Sequence, residues 1–305
     1  MGCGSWSPMS FSSYVTTSRG ISVDEFTTGD FTNKQVFKST KIHEDLVPMN
    51  VMRECCDNEE HPETVPVILA LDVTGSMGKA AVKVAQKLND IMTKLYENNA
   101  VKDIEFCIMG IGDLDYDYSP IQISQFESDI RIAAHLDKLW FEFGGGGNSY
   151  ESYTAAWYMG TRHCNLDCWK RGKKGIIITM GDECPNPSLS TRALAREVGD
   201  NIQDKSVYTD ELYEEAKEKF DIYHISVNDV ESSYRFNNRR LGVDKNWEEL
   251  LGDNYKVATL DDLSDVITNI VIESVKAQAN TISFAPNNVI DNIFGEAPED
   301  AKVAW

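Results

Sequence analysis

Asp72, Thr74 and Ser76 place a carboxylate and two hydroxyls on alternate residues of the stretch Asp72-Val73-Thr74-Gly75-Ser76. Two later stretches carry comparable groups. Gly144-Gly145-Gly146-Gly147-Asn148-Ser149-Tyr150-Glu151-Ser152 offers Asn148 and Glu151, and Thr179-Met180-Gly181-Asp182-Glu183 offers Asp182. A hard cation such as Mg²⁺ takes about six oxygens at about 2.0–2.1 Å and usually keeps some waters. One carboxylate, two hydroxyls and an oxygen from each of two further loops meet that demand without closing the shell. The hydroxyls bring no charge, so the ion stays electrophilic and favours an incoming anionic oxygen. The candidate metal ligands are therefore Asp72, Thr74, Ser76, Asn148, Glu151 and Asp182, with Mg²⁺ as the ion and Mn²⁺ or Ca²⁺ as alternatives. The competing reading is local: Asp, Thr and Ser also favour turns and helix N-caps, Asn148 suits a left-handed or capping position, and Glu151 suits a helix N-terminus.

Other constellations carry less chemistry. Asp113-Leu114-Asp115-Tyr116-Asp117 alternates carboxylates as a Ca²⁺ loop does, but Tyr118 stands where such a loop needs glycine, which predicts a solvated acidic loop or a partner-facing rim. His163, Cys164 and Cys168 have a loosely zinc-like spacing without a second pair, which predicts inert thiols. His224 sits inside an apolar run and reads as a core residue.

These loops need elements to hold them. Val65 to Leu71 is apolar on both faces, the pattern of a central parallel strand. Beyond Gly78, apolar residues recur at Ala81, Val84, Ala85, Leu88, Ile91, Met92 and Leu95, an amphipathic helix. Strands are predicted at Ile104 to Ile111, Ile121 to Gln125, Gly175 to Thr179, Ile222 to Val227 and Tyr255 to Thr259. Helices are predicted at Ile130 to Leu139, Glu151 to Thr161, Thr191 to Val198, Asp210 to Phe220 and from Leu263 through Val271. That alternation makes an α/β, doubly wound, mostly parallel central sheet flanked by helices, Rossmann-like in layout, with its ligand site outside the carboxyl ends of the strands. The helix starting near Gly78 points the positive end of its dipole at the same region, where Asp72 and Asp182 offset it and an external anion benefits. Residues 1–64 read as an irregular Ser/Thr-rich N-terminal extension packing on the core, 65–275 as the domain, and 276–305 as a tail that lies along the domain or docks a partner.

Composition limits the function. The 305 residues carry 29 Lys plus Arg against 49 Asp plus Glu, a formal charge of −20, so nucleic acid and anionic membrane surfaces are excluded as expected partners. At 42% hydrophobic residues the chain is ordinary globular material, not an acidic disordered tail. Its 7 cysteines are an odd number without a disulfide rhythm, and neither a secretory leader nor a membrane-length apolar run is read, which together predict a cytoplasmic protein. Trp6 replaces the hydroxyl that N-myristoylation expects at that position.

Leu71-Asp72-Val73-Thr74-Gly75-Ser76-Met77 resembles the DxSxS-type metal-ion-dependent adhesion site (MIDAS) of von Willebrand factor A (vWA) domains, in a DxTGSM form, and the resemblance covers about residues 65 to 275. Gly110-Ile111-Gly112-Asp113, Ser124-Gln125-Phe126-Glu127 and Gly144 to Ser152 resemble stretches of the bacterial and phage intracellular branch. The resemblance implies a metal-assisted protein-binding module and not an enzyme. Thr74 and Ser76 would ligate directly, Asp72 would act directly or through water, and a partner's Asp or Glu would complete the ion. It departs from the family at Asn148, where a Thr is common, and at Met180 and Gly181, which intervene before Asp182. MoxR-type AAA+ ATPases and kinase or phosphatase systems accompany similar modules and are the implied partners. Two alternatives stay open: an assembly protein with a vestigial metal site, and a haloacid-dehalogenase-like phosphotransferase with Asp72 as nucleophile, whose DxDxT pattern is broken by Thr74.

Overall fold

The apolar run after Thr64 forms the central strand β1 (Val65–Asp72) of a computed structural model that describes residues 4–98, 101–142, 150–227 and 237–283. It pairs in parallel with β2 (Ile104–Ile111) on one side and β4 (Gly175–Gly181) on the other. The short β3 (Ile121–Ile123) closes one edge antiparallel to β2. Beyond β4 lie β5 (Phe220–Val227) and β6 (Tyr255–Ala258), giving the order β3-β2-β1-β4-β5-β6. The strand order reverses between β1 and β4, the switch point where the crossover loops part and leave a crevice. Asp72 ends β1 there and Asp182 follows β4.

Side chains alternate along β1, so the two faces of the sheet are covered by different helices. Val67, Leu69 and Leu71 pack with α4 (Gly78–Glu97), α5 (Arg131–Asp137) and α10 (Leu263–Ser283). Ile68 and Ala70 face α6 (Thr154–Arg162), α7 (Thr191–Glu197), α8 (Thr209–Lys217) and α9 (Asn237–Leu251). Asp72 has the parity of Ile68 and Ala70 and shares the α6 side.

Residues 4–64, expected to be irregular, fold into α1 (Pro8–Arg19), α2 (Val23–Thr28), α3 (Asn33–Val36) and a short strand Arg53–Cys55 that pairs with Cys164–Leu166. Phe11, Val15, Phe26, Val36 and Phe37 are buried in the same core as α4. Three other expectations shift. The helix expected from Glu151 begins at Thr154, because Tyr150–Glu151 pairs as a strand with Cys184–Pro185. Helix α9 went unread from its polar sequence, and the last helix runs to Ser283, past the expected domain end. The tail beyond Ser283 and the loop holding Asn148 lie outside the described residues. Among those residues no helix is long and apolar enough to cross a membrane.

Candidate metal centre

The turn after β1 is held by its own carboxylate. Val73 N extends the ladder to Ile111 O at 2.9 Å, and then Asp72 Oδ1 accepts from Thr74 N at 2.8 Å and Thr74 Oγ1 at 2.5 Å. This Asx-type turn stands Thr74 upright at the start of the 3₁₀ turn Gly75–Met77, which feeds directly into α4. Thr74 Oγ1 and Ser76 Oγ lie 3.4 Å apart, and Ser76 Oγ donates to Asp182 Oδ1 at 3.1 Å. Adjacent ligands of an octahedral ion at about 2.1 Å are about 3.0 Å from each other by simple geometry. The spacing of these oxygens is close to that value, and it brings two of the three predicted loops together.

Glu151 joins the same cluster from the third loop. It is 6% exposed, its Oε2 is buried without a hydrogen-bond partner, and burial pushes its carboxyl far above the usual range, helped by the charges of Asp72, Asp117, Asp113 and Asp182. Asp72, buried and facing Asp182, is also raised, although its hydrogen bonds from Thr74 and Tyr153 pull the other way. The acidic loop is therefore not simply solvated as expected. Asp113 is buried and Asp117, held by a bond from Asp113 N at 2.7 Å, is pushed up to about 6 chiefly by burial, whereas Tyr116 and Tyr118 face solvent. Ser152 Oγ ties this loop in by accepting from Leu114 N at 2.9 Å.

The support beneath these oxygens escaped the sequence reading. Tyr153, fully buried at the start of α6, donates its hydroxyl hydrogen to Asp72 Oδ2 at 2.8 Å and accepts from Asp182 N at 3.1 Å and Glu183 N at 3.3 Å. One phenol thus fastens the β1 turn to the β4 loop. Its ring lies against His224 and Trp247, and the His224 and Trp247 rings stack at 3.7 Å. Trp247 Nε1 donates to Glu183 O at 3.0 Å, and His224 Nδ1 is 2.9 Å from Thr179 Oγ1. His224 is the core residue its setting predicted, held neutral by burial. Gly181 is required here, because a methyl group at that position would collide with the Tyr153 hydroxyl.

The donors are all oxygens, hydroxyl and carboxylate, with a positive helix end nearby and the strongest electrostatic influences on Glu151 all negative. That set suits a hard divalent ion, although no three His, Cys, Asp or Glu side chains among the described residues, these carboxylates included, are grouped closely enough to hold a metal by themselves, so the hydroxyls of Thr74 and Ser76 are needed. His163 instead bonds Asp200 at 2.7 Å and Val51 O at 3.1 Å, and Cys164 and Cys168 are buried free thiols.

No family model and no curated protein matches the sequence. Among solved structures the chain is similar to the pilus adhesin SpaC from Lactobacillus rhamnosus GG in its open conformation, with a TM-score of 0.50 and 13% identity over 73% of this chain. The match takes in 31% of SpaC, so this chain spans about a third of that protein. It is also similar to the vWF domain of the type V pilus tip protein Mfa5 from Porphyromonas gingivalis, at a TM-score of 0.42 and 13% identity, over 75% of this chain and 98% of that one. At such identities the likeness is one of fold. With a helix-flanked, mostly parallel six-stranded sheet whose order reverses between β1 and β4, the chain has a vWA-like fold.

Proposed function

We propose that the chain is a protein-interaction module that holds a divalent cation, Mg²⁺ foremost, and that an Asp or Glu of a protein partner completes the ion's coordination. The observation that carries this reading is the unbroken run of oxygens from Asp72 through Thr74 and Ser76 to Asp182 at the switch point. Thr74 and Ser76 would hold the ion directly. Asp72 and Asp182 would hold it directly or through water, and Glu151 would add charge from the third loop. When bound, the ion supplies a positive point charge to which an external carboxylate is drawn. Tyr153 fastens both loops through its hydroxyl.

On this reading the module binds and does not catalyse. A haloacid-dehalogenase-type site needs a second carboxylate where Thr74 stands, and Thr74 Oγ1 is committed to Asp72. Cytoplasmic residence belongs to the same reading, supported by the buried thiols of Cys55, Cys107, Cys164 and Cys168. MoxR-type ATPases and kinase or phosphatase systems are the first partners to test.

Thermal unfolding with and without MgCl₂ tests the reading. Wild type is expected to gain stability with rising Mg²⁺ as RT ln(1 + [L]/Kd) prescribes, about 2.7 kcal/mol at a hundredfold excess over Kd. Asp72→Ala is expected to show no gain. A wild-type Tm indifferent to Mg²⁺, Mn²⁺ and Ca²⁺ overturns the proposal.

A further inference from the structure

Gly78 opens α4 in ordinary right-handed helical backbone, at φ −56° and ψ −37°, a conformation that alanine fills at lower entropic cost. What the missing side chain supplies is room. A methyl group there would stand 2.6 Å from Asn33 Nδ2, 3.0 Å from Asn33 Cβ and 3.1 Å from Asn33 Cγ. Asn33 begins α3 of the N-terminal arm, where its carbonyl accepts from Phe37 N at 2.8 Å. Just before it, Gln35 Oε1 accepts from Thr32 N and Thr32 Oγ1, both at 2.8 Å, and closes the start of that helix. The Nδ2 and Oδ1 atoms of Asn33 are buried without a hydrogen-bond partner, so its side chain is seated by contact with the start of α4.

The same arm grips α4 farther along. Gln86 Nε2 donates to Phe26 O and Gly29 O, both at 2.8 Å, and Trp6 Nε1 donates to Asn89 Oδ1 at 3.0 Å. Gly78, Gln86 and Asn89 recur at spacings that return to one face of a helix, so the arm lies on a single stripe of α4. A shift of α3 away from Gly78 is resisted by the bonds at Gln86. Ser76, two residues before Gly78, lies about 200–240° round the turn from it. Its hydroxyl is thereby aimed at Asp182 while Asn33 bears on the other side. We infer that Asn33 is a positioning residue for the metal centre: seated on Gly78, it backs the Gly75–Met77 turn and keeps Ser76 within reach of Asp182. The inference rests on the metal-centred reading. The arm then acts on the ion through α4, without contributing a ligand.

Four versions of the full chain test this: wild type, Asn33→Gly, Gly78→Ala and the two changes together. Each is titrated with MgCl₂ by calorimetry, and in EDTA the amide resonances of Ser76, Met77 and Asp182 are compared. Gly78→Ala crowds Asn33 and Asn33→Gly removes the support, so each is expected to bind Mg²⁺ about tenfold more weakly and to shift those amides in the metal-free protein. In the double variant the methyl group refills part of the space that Asn33 leaves. It is expected to bind Mg²⁺ more tightly than either single variant, with its amides nearer to their wild-type positions. A side chain that served packing alone would move the urea midpoint and leave the Mg²⁺ affinity where it was. Wild-type affinity in either single variant, or a double variant that binds no more tightly than the singles, overturns the inference. Asn33→Gly, which only removes atoms, carries the comparison with wild type if Gly78→Ala does not fold. A wild type that ignores Mg²⁺, Mn²⁺ and Ca²⁺ overturns the metal-centred reading instead. The metal-free amide shifts and their reversal in the double variant then still decide whether Asn33 sets the turn, so the two failures are told apart.

Discussion

The hydroxyl of Tyr153 makes the most consequential contacts of any one group in the site, since it satisfies Asp72 Oδ2 and two backbone amides of the β4 loop. Tyr153→Phe leaves these buried groups unpaired and is expected to cost about 1–3 kcal/mol in urea unfolding, with weaker Mg²⁺ binding measured by calorimetry. Asp72→Asn is expected to abolish the response to Mg²⁺ in the same titration, because it removes the carboxylate and sets an NH₂ against one of the donors, Thr74 or Tyr153, from which Asp72 accepts. Acid acts through a different residue: burial lowers His135 from 6.5 to about 4, so the unfolded chain binds the proton more tightly. Stability from this group is whole above pH 6.5 and falls as the pH drops towards 4, by up to about 3 kcal/mol. The raised carboxylates have the reverse sign, stabilising at low pH and less so as the pH rises through their folded values. Comparing His135→Gln with wild type in urea between pH 7 and 4 isolates the histidine, and an unchanged slope would refute its part. Asp72, Thr74, Ser76 and Asp182 were readable because each sits in a short turn after an apolar strand. Tyr153 and Trp247 were not, since their partners lie 81 and 64 residues away and nothing local marks them.

Elements differ in how plainly they announce themselves. The central strands are continuous apolar runs, and α4 repeats its buried residues over 20 positions, so both were legible. The N-terminal helices are short and mostly polar, and α1 buries only Phe11 and Val15, one helical turn apart. Its boundaries did carry signals, Ser7 capping before Pro8 and Gly20 in the left-handed region at the end, but two apolar residues do not make a visible period. Helix α9 failed for the same reason, with Val243, Trp247 and Leu251 at four-residue spacing among charged and amide side chains. These weakly patterned helices nevertheless close the structure. Phe26 is 1% exposed, the Arg19 guanidinium lies 4.2 Å from its ring centre, and its carbonyl accepts from Gln86 of α4 at 2.8 Å. Phe26→Ala is expected to lower unfolding stability by roughly 3–5 kcal/mol, read from the urea midpoint. A loss below about 1 kcal/mol, within the range of surface substitutions and mild core changes, would mean that this arm is not part of the cooperative core.

At the scale of the whole molecule, the two faces of one sheet unfold together if the core is a single cooperative unit, and the thiols report on that directly. Cys55, Cys107, Cys164 and Cys168 are buried, and burial pushes Cys107 and Cys168 up to about 12 and the other two well above their ordinary value. Their thiolates are therefore scarce and shielded in the native state, whereas Cys56, its thiol also raised by burial, and Cys184 are only half-buried. Among the described cysteines, disulfide-exchange labelling of the native protein should modify Cys56 and Cys184 before the four core thiols, which follow at a common, slower rate set by opening of the domain. On the proposed function, an ion at the switch point would tie β1 to β4 and stabilise only the closed form, so Mg²⁺ should slow the four core thiols by a factor of 1 + [L]/Kd when reclosing is faster than labelling. It should leave Cys56 unaffected. Peptide mapping by mass spectrometry after timed labelling checks this, with Asp72→Ala showing no protection. Core thiols that react at four unrelated rates would show instead that the two faces open separately, and that a cation at the sheet's edge does not govern the stability of the whole.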